Sequence, residues 1–219
     1  MIGMEMKFGS VGIARRNNAH DTVVAPPSPT VFFSDSFTDM DNTELSEHIP
    51  DIGDGWTYAA GSDTRYFIVS GQLKLPAINN YAGYYFANTA PPSPDYSIEA
   101  DIVANTPQVL AGVIGRGTSA NYYEFSYYYG NAAWGLYKTT NTYTFNLLGS
   151  YNQTLTNGQT YHIKLEMIGD QLKGYIDGIE RVSVIDASFA NAGSYGVYIK
   201  GLTDPLLSLA IDNFSASTV

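Results

Sequence analysis

Short runs of alternating apolar and polar residues make up most of this chain beyond residue 30. In the clearest run, 96–104, every second residue from Tyr96 to Ala104 is apolar, and most of the residues between them are polar. A period of two residues predicts a β-strand that buries one face and turns the other toward water. No sequence segment keeps the 3.6-residue period of a helix. The pattern therefore predicts an all-β protein with at most a short helix, at 43–47 or 186–190.

The apolar runs are short and closely spaced, with Gly, Pro, Asn and Asp between them, as is typical of a two-sheet sandwich. Asp177-Gly178 separates two alternating runs, which is a strong signal for a β-hairpin, and Asn157-Gly158 marks a second turn. The predicted strands are 31–37, 56–61, 65–70, 72–76, 84–88, 96–104, 109–115, 120–129, 133–139, 142–151, 161–168, 171–176, 179–185, 195–200 and 206–215.

Composition agrees with this pattern. The chain contains 18 Tyr, 10 Phe and 21 Gly, and only 15% of its 219 residues are charged, a balance that favours sheets over helices. It contains no cysteine, which excludes disulfides, thiolate metal sites and a cysteine nucleophile. The formal net charge of −10 repels phosphate backbones, so we expect no nucleic-acid partner.

Residues 1–30 differ from the rest and are predicted to form an N-terminal arm before a sandwich domain at 31–219. The arm ends in a proline-rich linker, and it carries apolar side chains such as Met6 and Phe8 and the basic pair Arg15-Arg16. It is either a terminus without a role or an anchor that docks on another protein through these side chains. The chain lacks a run of about 18 apolar residues and the apolar core of a signal peptide, so we expect no membrane span and no general secretory export.

Four sequence pieces together resemble the concanavalin A-like lectin and glucanase superfamily. They cover about residues 31–217, and their order is an opening strand, a strand after a turn, a hairpin and a closing strand: 33–37, 161–167, 169–178 and 210–214. The resemblance implies a two-sheet antiparallel jelly-roll sandwich in which the first strand lies beside the last. The superfamily includes lectins, glucanases, laminin-G-like modules and viral surface proteins, so the fold alone assigns no function.

The resemblance also implies a structural calcium ion. Many members hold one with an aspartate of the closing strand, which points to Asp212 with Asp35 as its neighbour, since calcium prefers oxygen ligands. The alternative is that both carboxylates bond turn amides.

The glucanase branch carries E-x-D-x-(x)-E on one strand. The nearest match, Glu99-Ala100-Asp101, lacks the second glutamate that would act as general acid. We therefore expect a protein that is not an enzyme, with Glu99 and Asp101 as ordinary carboxylates on a solvent face.

A run of aromatic residues at 122–129 supplies the candidate binding residues. Alternation puts Tyr122 and Tyr128 on one face of a strand, and the rings of the other face are expected in the core. We expect the outward rings to form a row with Trp134 and Tyr137 of the next strand. Such a row suits stacking on sugars or contact with another protein, and ring pairing within an ordinary sandwich is the third interpretation.

The segment 44–56 resembles an L-x-x-H-x-P-D-x-G-x-x-W stretch of such domains in bacteriophage and environmental bacterial proteins. Together with the arm and the lack of cysteine, it predicts a multi-copy bacteriophage structural protein that folds in the host cytoplasm and resides in the virion. The arm would hold other virion proteins, and the sandwich would project as a capsid decoration or tail-fibre adhesion domain that binds host-surface glycans. The alternative is an exported, extracellular bacterial carbohydrate-binding module, and the third class is a polysaccharide hydrolase or lyase.

Overall fold

The computed structural model describes residues 28–61, 65–75, 82–105, 110–142, 144–200 and 210–219. In this part the chain forms two antiparallel β-sheets, which confirms the predicted all-β sandwich. Of the predicted arm, residues 1–27 lie outside the described residues. The predicted helix at 43–47 is a single 3₁₀ turn at Leu45–Glu47, and 186–190 is not helical.

The strand bounds follow the alternating runs closely. The strands are β1 (Val31–Asp35), β2 (Trp56–Gly61), β3 (Phe67–Ile68), β4 (Leu73–Lys74), β5 (Ala82–Ala87), β6 (Tyr96–Val103), β7 (Leu110–Gly117), β8 (Tyr122–Tyr128), β9 (Ala133–Thr140), β10 (Thr144–Asn152), β11 (Thr160–Ile168), β12 (Gln171–Ile176), β13 (Ile179–Ile185), β14 (Ser194–Lys200) and β15 (Ala210–Thr218). A second 3₁₀ turn, Tyr129–Asn131, joins β8 to β9.

The strands divide between two sheets that face each other. Sheet I has the order β13-β12-β11-β6-β15-β4-β3, with β1 also pairing β15, so the first strand does lie beside the last. Sheet II has the order β10-β9-β8-β7-β14-β5-β2. The predicted hairpin at Asp177-Gly178 joins β12 to β13, and both residues have positive φ, as a tight hairpin turn requires.

The core between the sheets is rich in aromatic rings. Phe33 of β1 meets Trp56 of β2 edge to face, with ring centroids 5.0 Å apart, and both rings contact Phe214 of β15. Edge-to-face pairs add to the stability that burial of the rings already supplies. The closing strand is thus fixed to the opening strand by ring packing as well as by backbone hydrogen bonds.

The outer face of sheet II is strongly concave. At Gly112 of β7 a Cβ atom would collide with the backbone of β8, and at Gly196 of β14 it would collide with the backbone of β5. Phe145 of β10 and Tyr198 of β14 have ring centroids 6.4 Å apart, although β10 and β14 are four strand spacings apart, roughly 19 Å in a flat sheet. The sheet therefore curls over its own outer face and encloses space there.

Candidate functional site

A cleft of about 300 Å³ lies on the concave outer face of sheet II. Its size is at the lower end of the range for small-ligand pockets. The residues that line it come from five strands and one turn, and they are Leu110, Glu124, Tyr128, Asn131, Tyr137, Phe145, Leu147, Tyr198 and Lys200.

A row of small residues makes room for this cleft. Strand register aligns Tyr198, Gly112, Ser126 and Gly135 across β14, β7, β8 and β9. Tyr137 lies over Gly135, where any Cβ atom would overlap its ring. Three small side chains in succession therefore let the neighbouring rings lie close to the sheet.

Glu124 is the most unusual residue of the cleft. It pairs with Tyr137 in the register, and only 1% of its surface is exposed. The Ser126 hydroxyl donates a short hydrogen bond to its Oε1, whereas its Oε2 has no partner among the described residues. Burial raises the pKa of Glu124 to about 7, against smaller opposing effects of Ser126 and Lys200. Near neutral pH this carboxyl can therefore be either charged or neutral.

The walls of the cleft are largely apolar. Phe145 and Leu147 of the edge strand β10 are 41% and 53% exposed, a large exposure for such side chains. Burial, followed by the negative charge of Glu124, raises the pKa of Tyr137 to about 12, so its phenol is neutral and can donate a hydrogen bond. The cleft thus combines ring and aliphatic surface with one buried carboxyl group, a chemistry suited to a ligand with both apolar faces and hydroxyls.

The structure separates the four aromatic residues that the sequence suggested as a binding row. Tyr128 and Tyr137 line the cleft. Tyr122 is on the same outer face but wholly buried, in a cluster with Tyr84, Ile114 and Tyr198. Of the four rings, Tyr128 and Tyr137 are thus partly exposed.

Trp134 requires a correction. It is fully buried in the core between the sheets, 6.0 Å from Phe125 by ring centroids, and its Nε1 donates to Gln153 Oε1 at 2.8 Å. Positions 134 and 137 are three apart on one strand, so strand alternation places their side chains on opposite faces. Trp134 can therefore present no ring to a ligand.

The sequence analysis did not predict seven of the cleft residues, which are Leu110, Glu124, Asn131, Phe145, Leu147, Tyr198 and Lys200. Glu124 had a usable signal, because it is the one charged residue of the aromatic run at 122–129 and shares the outward face with Tyr122 and Tyr128. The contribution of β10 and β14 had no local signal, since it depends on the curl of the sheet.

The carboxylates suggested for calcium are engaged with protein donors. Buried Asp35 accepts hydrogen bonds from the Phe37 amide at 2.7 Å and from Trp56 Nε1 at 2.6 Å, and it lies 2.9 Å from His48 Nε2. Asp212 Oδ1 accepts from the Asn213 amide at 2.8 Å. Within the described ranges no group of three or more His, Asp or Glu side chains has the arrangement of a metal site. The geometry fits the alternative of bonds to turn amides, and calcium stays a prediction.

Glu99 and Asp101 lie on the outer face of sheet I, away from the cleft. His162 of β11 bridges them, with Nδ1 2.8 Å from Asp101 Oδ1 and Nε2 3.2 Å from Glu99 Oε2. The hydrogen bond to Glu99, followed by that to Asp101, raises the pKa of His162 to about 9, although partial burial opposes this. The three groups form an ion-pair network on a face turned to solvent.

This network gives a pH-dependent stability. A histidine whose pKa is raised by folding stabilises the protein fully below its unfolded pKa, near 6.5, and this stabilisation is lost as pH rises through about 9. Because the three groups are partly exposed, we expect the free energy of unfolding to fall by about 1 kcal/mol rather than by the full value of the pKa shift. Urea unfolding of wild type and His162→Gln at pH 6 and pH 9.5 measures it. A gap between the two proteins that is equal at both pH values would contradict this expectation.

Comparison with known proteins gives matches at the level of structure. No protein-family model matches the chain, and comparison with curated proteins finds no match. The carbohydrate-binding module CBM66 from Bacillus subtilis superposes with a TM-score of 0.62 at 17% identity, over 74% of this chain and 95% of that one. The chain has a concanavalin A-like fold. This confirms the fold that the sequence pieces implied.

Two further structures extend this similarity. β-Agarase B from Zobellia galactanivorans has a TM-score of 0.62 at 12% identity, over 88% of this chain and 95% of that one. A protein of unknown function with a galectin-like fold, also from Bacillus subtilis, has a TM-score of 0.58 at 12% identity, over 74% of this chain and 90% of that one. At such identities the similarity shows the fold alone.

The predictions about where the protein resides and what it assembles with stay predictions. The bacteriophage virion, the anchoring arm and the multi-copy assembly rest on sequence features, and the anchor residues Met6, Phe8, Arg15 and Arg16 lie outside the described residues. Within the described residues no helix is long and apolar enough to span a membrane.

Proposed function

We propose that this chain is a carbohydrate-binding protein and that its sugar site is the cleft on the outer face of sheet II. The observation that carries the proposal is Glu124, a wholly buried carboxyl that lines an aromatic cleft and whose Oε2 lacks a partner among the described residues. A buried polar atom without a partner is costly, so its position at a cleft favours a ligand that supplies the missing hydrogen bond. Sugar hydroxyls can do so.

The rings around Glu124 suit the apolar faces of a sugar. Tyr128, Tyr137 and Phe145 offer apolar ring surface, and the two phenols add polar tips. A sugar presents C–H groups on its faces and hydroxyls around its edge. Its faces can pack on these rings while an edge hydroxyl donates to Glu124 Oε2. The carbohydrate-binding module and the agarase that share the fold support this choice of ligand class.

The arrangement of carboxyl groups supports binding rather than hydrolysis. Glycoside hydrolysis uses two carboxyl groups on either side of the bond that is cut, about 5 Å apart in retaining enzymes and up to roughly 9.5 Å apart in inverting ones. Among the described residues that line the cleft, Glu124 is the one carboxyl group. Glu99 and Asp101 are on the other sheet and hydrogen-bond to His162. We therefore infer a binding protein that holds a glycan without cutting it.

A glycan array with the purified chain tests this proposal. We expect saturable binding to a subset of immobilised polysaccharides, competed by the corresponding free oligosaccharide, with no shortening of that oligosaccharide on prolonged incubation. Binding to no glycan by a folded sample would overturn the proposal. Release of shorter products would overturn the binding-only role and would place the protein among hydrolases or lyases.

A further inference from the structure

We propose that the cleft selects uncharged sugars, and that Glu124 is the specificity-determining residue that disfavours anionic sugars such as uronic acids. The inference rests on the proposed function of the cleft and names its ligand class. It follows from how Glu124 is held and from the charges that surround it.

Within the described ranges, no direct ion pair compensates the negative charge of Glu124. None of the salt bridges among the described residues involves Glu124. The cation of the cleft, Lys200, is two strands away and offset by four residues, and its charge lowers the pKa of Glu124 by less than burial raises it. A like charge brought into a desolvated site is costly because little water remains to screen it.

A neutral sugar avoids this cost. Its hydroxyl can donate to Glu124 Oε2 when the carboxylate is ionised, and it can accept from the carboxylic acid when the group is protonated. A uronate carboxyl has no proton to donate near neutral pH, since unperturbed carboxyl groups ionise near pH 4. It would meet the ionised Glu124 as a second anion.

Among the remaining titratable groups of the cleft, Lys200 opposes this repulsion, but its effect on the pKa of Glu124 is smaller than that of burial. Those that face Glu124 are Tyr122, Tyr128, Tyr137, Tyr198 and Lys200. Burial moves the pKa values of Tyr122 and Tyr137 upward, away from neutrality, and that of Tyr137 reaches about 12. With the pKa of Glu124 at about 7, repulsion of a uronate is present above that pH and is lost below it.

Calorimetric titration with matched ligands tests the inference. The probes are gluco-, galacto- and manno-oligosaccharides and the same oligosaccharides oxidised to uronates at C6. At pH 8.5 we expect the wild type to prefer a neutral oligosaccharide over its oxidised form at least tenfold. At pH 5.5 this preference is expected to fall several-fold, because Glu124 is then protonated.

A matched pair of variants locates the effect. In Glu124→Gln, which keeps the side-chain shape and removes the charge, the preference is expected to be smaller and equal at both pH values. Glu166→Gln, on the outer face of sheet I where Glu166 pairs with Lys164, is expected to behave as wild type. Thermal unfolding checks that both variants are folded, and the pH series on wild type needs no variant.

The possible failures can be told apart. The role of Glu124 would be overturned if neutral and oxidised forms bind equally at both pH values, or if uronates bind more tightly at pH 8.5. Either result would leave the proposed glycan site intact. A folded wild type that binds none of these oligosaccharides, and nothing on the glycan array, would overturn the proposed function itself.

Discussion

Replacing Arg116 with methionine is expected to lower the free energy of unfolding by about 3 kcal/mol. The Arg116 side chain is almost fully buried at the end of β7, and it donates to the carbonyls of Pro94, Gly169 and Phe189. It also donates to Asp95 Oδ1 at 3.3 Å. Methionine fills most of the space but leaves these acceptors without a donor. Urea unfolding followed by tryptophan fluorescence measures the difference.

The control for Arg116 is Lys173→Met. Lys173 forms an ion pair with Glu180 on the surface of sheet I, where water screens both charges. We expect no measurable change of its unfolding midpoint. If Arg116→Met unfolds at the wild-type urea concentration, the guanidinium does not hold together the three loops whose carbonyls it contacts.

Replacing Tyr128 or Tyr137 with alanine is expected to weaken glycan binding at least tenfold each, which corresponds to about 1.4 kcal/mol or more. Both side chains line the cleft and are partly exposed, so their removal takes away contact surface without opening the core. Titration with the oligosaccharide that binds best on the array measures the loss. A rise in dissociation constant with unchanged thermal stability is the expected result.

Tyr175→Ala is the matched control for the cleft tyrosines. Tyr175 is a half-buried tyrosine on the outer face of sheet I, where its hydroxyl bonds Glu166. Its removal is expected to leave glycan affinity unchanged. If Tyr175→Ala weakens binding as much as the cleft variants do, the sugar site is not the cleft on sheet II.

Much of the fold could be predicted from local patterns. Alternation from Tyr96 to Ala104 gives β6, and the Asp177-Gly178 turn gives the β12–β13 hairpin, because strand period and turn chemistry are local properties. The pairing of β1 with β15 depends on residues about 180 apart, and it could be predicted only through the resemblance to a known superfamily.

The candidate site was less predictable for a physical reason. The aromatic run pointed to β8, and alternation correctly separated its inward rings, such as Phe125, from its outward ones. Which partners join it depends on the curl of sheet II, which brings Phe145 to Tyr198 across four strand spacings. The predicted exposure of Trp134 is wrong because Trp134 is three residues before Tyr137 on β9, and this odd spacing puts the two side chains on opposite faces. The importance of Glu124 lies in its burial and in an oxygen without a partner in the described part of the chain, and neither is visible in sequence.

The central claim is that the cleft on sheet II is the sugar site, and NMR titration tests it most directly. The oligosaccharide that binds best on the glycan array is added to ¹⁵N-labelled protein, and the changes in backbone amide chemical shift are mapped onto the structure. We predict the largest changes at Glu124, Tyr128, Tyr137 and Tyr198, with little change in β11–β13. Changes concentrated around Glu99, Asp101 and His162 on sheet I, with none around Glu124, would contradict the claim.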